Sequence, residues 1–279
     1  MKKALIIFIA IAMSSVSWAA TTPSQSEESF CADRDNPEFI KSLFDSSSNL
    51  MTFRNHGGIA NGGVCWWHSR FQRSAAYLTI FKPAEKRPTE NEAQIIIDKI
   101  RTGKEVIVIS GFRNFSEFTN RYESLIQKEL EKWQKSDGVM KFNWVMGLKG
   151  ANEVSAEKLK ESMDELYDYV EREGNIAYQK LHIKGVTAHA WLVVKMKKVN
   201  DGYDLQILDS NFANYTSVYQ YREGMTSFTH WSYGKFVPYL ERKNELSFVK
   251  LGILKICNPS EYEIQKKKLN PQSEQQFNN

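Results

Sequence analysis

The chain lacks any run of about 20 apolar residues, the length a bilayer-spanning helix requires, and its formal charge is only +4 over 279 residues. A balance so near neutrality makes no electrostatic case for nucleic acid or an anionic membrane surface as a partner. A Gly-x-x-x-x-Gly-Lys phosphate loop and a Gly-x-Gly-x-x-Gly dinucleotide fingerprint are both missing. The five histidines stand at no metal-ligand spacing from cysteines or carboxylates. No nucleotide, metal or organic cofactor is implied. There is no internal repeat, and cysteine is sparse at three residues.

The longest apolar run lies at the start. Lys2 and Lys3 precede Ala4 to Met13, and Ser14 to Ala19 turns mostly small and polar. Ser17 and Ala19 satisfy the small-x-small rule, so residues 1–19 read as a secretory signal peptide cut after Ala19. Export to the periplasm or beyond is expected, as a soluble protein, and loss of Lys2 and Lys3 takes the formal charge from +4 to +2. Residues 20–29 are rich in Ser, Thr and Pro and read as a flexible leader. Residues 264–279 read as a disordered polar tail in which Lys266, Lys267 and Lys268 are solvated. The remaining 30–263 read as one domain; 42% of the chain is hydrophobic and 13% aromatic, enough for a substantial core.

In an oxidising compartment cysteines pair. Cys31 follows the leader and Cys257 precedes the tail, and the ends of a domain are often close in space. A Cys31–Cys257 disulfide is the expected pairing, which leaves Cys65 outside it.

A short helix is expected over Asn36 to Phe44 and a glycine-rich loop over Arg54 to Gly63. Cys65 to Phe81, with apolar residues at 67, 71, 75 and 78, has helical spacing. Asn91 to Arg101 reads as a helix and Glu105 to Ser110 as a buried strand. Two long charged amphipathic helices, Ser116 to Lys135 and Ser155 to Glu173, make 116–174 a possible helical insertion. Thr187 to Lys195 and Tyr203 to Leu208 read as a hairpin turning at Asn200-Asp201-Gly202. Phe228 to Leu240 and Leu246 to Ile256 read as further β-type runs. The predicted class is α+β, helices first and antiparallel strands second, with no βαβ alternation.

Three short patches carry chemistry. In Asn61-Gly62-Gly63-Val64-Cys65-Trp66-Trp67-His68 a glycine-rich turn delivers a cysteine to the first turn of a helix, where unpaired N–H groups and the dipole favour a thiolate. Trp66 and Trp67 suit core packing. Thr187-Ala188-His189-Ala190-Trp191 sets a histidine between two alanines at the start of an apolar strand. Taken alone, such a histidine more often serves the core, bonded to a carbonyl. Leu208-Asp209-Ser210-Asn211 presents a carboxylate as the next strand ends, near the start of the His189 strand. Together Cys65, His189 and Asp209 form a nucleophile, base and orienting acid. His68 has no acid partner in sequence, and His56, His182 and His230 fit no site.

Gly-Val-Cys, then His-Ala, then Leu-Asp-Ser-Asn-Phe resembles the papain-like superfamily of cysteine peptidases, and within it the YopT-type bacterial peptidases. The resemblance spans about Asn61 to Asn214. It implies a papain-like fold with a helical half carrying the cysteine and an antiparallel β half carrying His and Asp, and a thiol hydrolase of protein or peptide substrates. Cys65 would be the nucleophile, His189 the base and Asp209 the orienting carboxylate, with Asn61 and Asn211 as oxyanion or auxiliary residues. Ser210 departs from the usual Pro, and Ile59 stands where papain has its oxyanion Gln, so Asn61 or Asn55 would substitute. A transglutaminase- or deamidase-type acyl transferase could use the same triad. The reading from a different class is a non-enzymatic secreted binding protein on a papain-like scaffold.

Overall fold

A computed structural model describes residues 25–56, 64–137, 151–183, 188–241 and 243–269. The expected signal peptide, the first half of the leader, the segment 57–63 with Ile59 and Asn61, and the end of the tail lie outside the described residues.

Helix α1 (Glu27–Arg34) starts inside the expected leader, because Ser26 caps it and Glu27 and Glu28 sit at its positive end. Helix α2 (Pro37–Ser42) is capped by Asn36. Helix α3 (Cys65–Leu78) ends sooner than its spacing suggests. Thr79 turns extended, and its β-branched and aromatic successors form strand β1 (Thr79–Lys82). Helix α4 (Glu90–Thr102) opens on a Thr89/Glu92 capping box. It leads to strand β2 (Ile107–Ser110), which pairs parallel with β1. A βαβ unit is therefore present where none was expected. The cause is β1, whose four residues continue the apolar face of α3 without a break. Val108 of β2 is 41% exposed, so this strand is only half-buried.

The first long charged segment breaks at Tyr122 into α5 (Phe115–Arg121) and α6 (Glu123–Lys135). The second is α7 (Ala156–Tyr167), running into a wider π-turn over Asp168–Arg172. Both segments send residues into the common core, among them Ile126, Leu130, Leu159 and Met163.

The β half is one antiparallel six-stranded sheet in the order β6-β5-β4-β3-β8-β7. Its strands are β3 (Ala177–Ile183), β4 (Ala188–Val199), β5 (Gly202–Asp209), β6 (Ser217–Arg222), β7 (Phe228–His230) and β8 (Gly234–Leu240). Helices with an antiparallel sheet give a mixed α+β fold. The chain then forms α8 (Lys243–Cys257) and α9 (Pro259–Lys268). The apolar run Leu246 to Ile256 is thus helical, not β: Leu246, Val249 and Ile253 are buried at i, i+3 and i+7. Gly252 lets α8 approach the α4–β2 connection, since a Cβ there would lie 2.9 Å from the Lys104 carbonyl carbon. Helix α9, capped by Asn258, carries regular structure to Lys268, into the expected tail.

Cys31 and Cys257 form the disulfide, with Cα atoms 5.4 Å apart. It ties α1 to the last turn of α8.

All 14 residues of α3 are buried, and six of them are polar or charged. Burying such groups is tolerable only with partners. Ser69 Oγ donates to the Ala190 carbonyl of β4 at 3.3 Å. Gln72 accepts from Met51 N–H at 2.8 Å and donates to the Asn49 carbonyl at 3.0 Å. Arg70 pairs with Asp137 at 3.1 Å and with Glu245 of α8 at 2.7 Å, while Arg73 reaches Glu245 at 3.0 Å. Arg70 also covers the Trp67 ring, 3.5 Å from its centroid. Helix, sheet and α8 are therefore locked to one element.

Removing one member of a buried ion pair leaves its partner charged and unsolvated, at a cost of about 3–5 kcal/mol. We expect Glu245→Ala to lose that much in urea denaturation. Glu105→Ala, from the exposed Lys99–Glu105 pair, should lose under about 1 kcal/mol. Equal losses would contradict the role given to the cluster.

Candidate active site

Cys65 is the first residue of α3. Val64, just before it, offers no side-chain acceptor to the first turn, so the turn is held from outside. Asn55 Oδ1 accepts from the Val64 N–H, and Gln134 Oε1 of α6 accepts from the Trp67 N–H at 3.3 Å. Trp66 and Trp67 are each 5% exposed and pack in the core. Lys180 lies over the Trp66 ring at 4.2 Å.

His189 is the second residue of β4 and Asp209 the last of β5. The β4–β5 hairpin turns at Asn200 and Asp201. Gly202 (φ +154°) is required there, because a Cβ would meet the Tyr221 carbonyl oxygen at 2.2 Å. Counting back from this turn, Val199 pairs with Gly202 and Lys195 with Gln206; beyond them, Val193 pairs with Ile207 and Trp191 with Asp209. Val194 is the extra residue of a β-bulge. Without it Asp209 would sit opposite Leu192 and point to the other face, since a one-residue shift inverts every side chain. With it, Asp209 shares a face with Trp191 and, two residues back, His189.

On that face Asp209 Oδ1 meets His189 Nε2 at 2.6 Å and accepts from the Asn211 N–H at 2.8 Å. Cys65 of α3 is the other group that raises the pKa of the ring. Burial alone would lower the pKa of His189. The Asp209 charge and hydrogen bond, joined by Cys65, override this and push it up to about 10. Burial likewise would raise Asp209, but the His189 charge and hydrogen bond with the Asn211 N–H hold it below the usual carboxylate range. Cys65, His189 and Asp209 are 1%, 6% and 2% exposed.

Asn55, weighed from sequence as an oxyanion donor, is occupied otherwise. Its N–H donates to the Ser210 carbonyl at 2.7 Å and its Nδ2 to Asn211 Oδ1 at 2.8 Å, while its Oδ1 holds Val64. It clamps the approach to Cys65 onto the turn after Asp209. Asn211 Nδ2 lies 3.4 Å from His189 Nε2, which puts Asn211 beside the ring, and Asn61 lies outside the described residues. Nothing local in the sequence marks the clamp, whose partners are 156 positions apart.

His68 lies about one turn along α3 from Cys65. It is buried, with Nε2 2.9 Å from the Phe53 carbonyl oxygen, and burial drives its pKa down to about 4. His56 faces Glu123 at 3.4 Å, near the surface. His182 rests on Tyr239, and His230 stacks on Tyr233, whose ring also meets that of His189 at 5.7 Å.

No protein-family model, no curated protein and no solved structure matches the chain.

A histidine held neutral in the fold stabilises it fully above the unfolded pKa of about 6.5, and that contribution is lost as pH falls toward the folded value of about 4. The loss reaches about 3 kcal/mol by linkage. We expect the His68 ring, followed by NMR, to stay neutral to about pH 4, and His68→Gln to flatten the decline in stability between about pH 6.5 and 4. Titration of His68 at an ordinary histidine pH would contradict this.

Proposed function

We propose that the protein is an exported thiol hydrolase of the papain-like type, acting on protein or peptide acyl bonds. The observation that carries the reading is the His189–Asp209 hydrogen bond at 2.6 Å, with Cys65 of α3 joining Asp209 in raising the pKa of the ring. Nucleophile, base and orienter each come from a different element. Export is supported by the leading apolar segment and by the Cys31–Cys257 disulfide, since such bonds persist in oxidising compartments.

In this mechanism the Cys65 thiolate attacks the carbonyl carbon, and the imidazolium of His189 gives its proton to the departing amine as the C–N bond breaks. Water then attacks the thioester while His189 takes its proton. The acid leaves and the thiolate is restored. With Nε2 committed to Asp209, Nδ1 is the nitrogen that exchanges protons. Asp209 fixes the ring and stays charged throughout. An amine in place of water would make the reaction acyl transfer.

The rival reading is a binding protein that never turns over. It is favoured by the burial of Cys65, whose sulfur a substrate carbonyl must reach. Alkylation decides between the two. We expect iodoacetamide to modify Cys65 rapidly at about pH 6 and His189→Ala to slow it about 300-fold, the deficit of thiolate at that pH in an ordinary thiol of pKa about 8.5. Asp209→Ala should slow it less. Slow labelling that rises only near pH 8.5 and ignores His189 would remove the enzyme reading.

A further inference from the structure

His189 and Asp209 are both buried, yet an open cleft of about 820 Å³ has Asp209 and His230 in its wall. The chain covers the His189 ring from the far side of the sheet. A turn, Trp231 to Tyr233, joins β7 to β8, and β8 stands two strands from β4 and three from β5. Tyr233 in this turn lays its ring against that of His189, with centroids 5.7 Å apart. The same ring stacks on His230, 4.1 Å away at 15°, and meets Phe236 edge-on at 5.4 Å. His230 lines the cleft and Tyr233 does not. From that side inward the order is His230, Tyr233, His189.

The stack is anchored within its own turn, because His230 Nδ1 accepts from the Ser232 N–H at 3.2 Å and lies 2.8 Å from Ser232 Oγ. Burial, and after it the Asp209 charge, push the pKa of the Tyr233 hydroxyl up. Tyr233 thus shares the low-dielectric surroundings of the pair it adjoins. Asp209 Oδ2 is buried with no hydrogen-bond partner, so the field of that carboxylate is undiminished by any donor there and acts on its neighbours.

We propose that Tyr233 is a positioning residue for His189: its ring packs the imidazole onto Asp209 and keeps water from the pair. The assignment deepens the hydrolase reading and rests on it for its catalytic use, since His189 is the base of that reaction. Opposite charges attract far more strongly where water is excluded. Admitting water weakens both influences on His189, the burial that lowers its pKa and the Asp209 charge that raises it. Their balance is upward, to about 10, so water moves the value down, toward the ordinary 6.5 or so. The other titratable groups about the ring are Cys65 and His68 of α3 and His230 of β7, with Tyr219 of β6 beside Tyr233. Strand β3 sets Leu181 opposite His189 and so presents it no charge. A substitution at Tyr233 removes none of these groups.

The test is a 15N NMR titration of the His189 ring, joined to the rate at which the proton between His189 and Asp209 exchanges with water. We expect Tyr233→Ala to lower the His189 pKa by at least about one unit and to speed the exchange at least about tenfold. Tyr233→Phe, which keeps the ring and loses only the hydroxyl, should retain the wild-type values of both. Tyr233→Leu should move both in the direction of Tyr233→Ala by a smaller amount, and it takes the place of that variant if Tyr233→Ala does not fold. Trp231→Ala, at an 84% exposed position of the same turn, should change neither, which separates the Tyr233 ring from a general loosening of the turn. An unaltered pKa and exchange rate in the Ala or Leu variant would overturn the assignment. So would an equal fall in Tyr233→Phe, which would place the effect in the hydroxyl, or an equal fall in Trp231→Ala. A wild-type His189 already neutral at pH 7 would instead remove the charged base from the hydrolase reading, and the exchange rates would still decide whether Tyr233 covers the pair.

Discussion

The fold depends on one constraint: α3 is buried on every side although six of its 14 residues are polar or charged. An all-round buried helix is ordinarily apolar all round. Here each surrounding layer supplies a polar group to it. The turn before it gives Asn49, Met51 and Phe53 backbone groups, β4 gives the Ala190 carbonyl, and α8 gives Glu245. The helix cannot rotate or slide without stranding buried charge, which costs several kcal/mol. Cys65, at its N-terminus, inherits that fixity.

The same economy positions the other two groups. Ser69 of α3 and Ser210 both donate to the Ala190 carbonyl, at 3.3 and 3.4 Å, so the residue after His189 and the residue after Asp209 are referred to one atom. The Val194 bulge sets the face, and the Asn55 clamp ties the approach to Cys65 to Asn211. These groups orient the site, and Asn211, first read as an oxyanion or auxiliary residue, is itself one of them. They also help fix three buried residues, each from a different element.

Much of this was legible in the sequence, and the remainder was not for definable reasons. Short patches with their own chemistry, namely Val64-Cys65, Ala188-His189-Ala190 and Leu208-Asp209, were legible because each couples an element boundary to a reactive side chain. The disulfide followed from cysteine count and position. Periodicity failed where two elements abut without a break: β1 was hidden in the face of α3. It failed again where an apolar run suited either state, as in α8, whose buried i, i+3, i+7 stripe is overlaid by Leu251 and Leu254. The bulge and the Asn55 clamp arise from register and long-range packing, and no local pattern announces them.

The central claim is that Asp209 and Cys65 together keep His189 charged. The direct measurement is a 15N NMR titration of the His189 ring in the wild-type protein, in Asp209→Asn and in Cys65→Ala. The account predicts an imidazolium that persists well above pH 7 in the wild type, in line with a pKa near 10, and a lower pKa in either variant, with Asp209→Asn falling further. A wild-type ring already neutral at pH 7 would contradict the account.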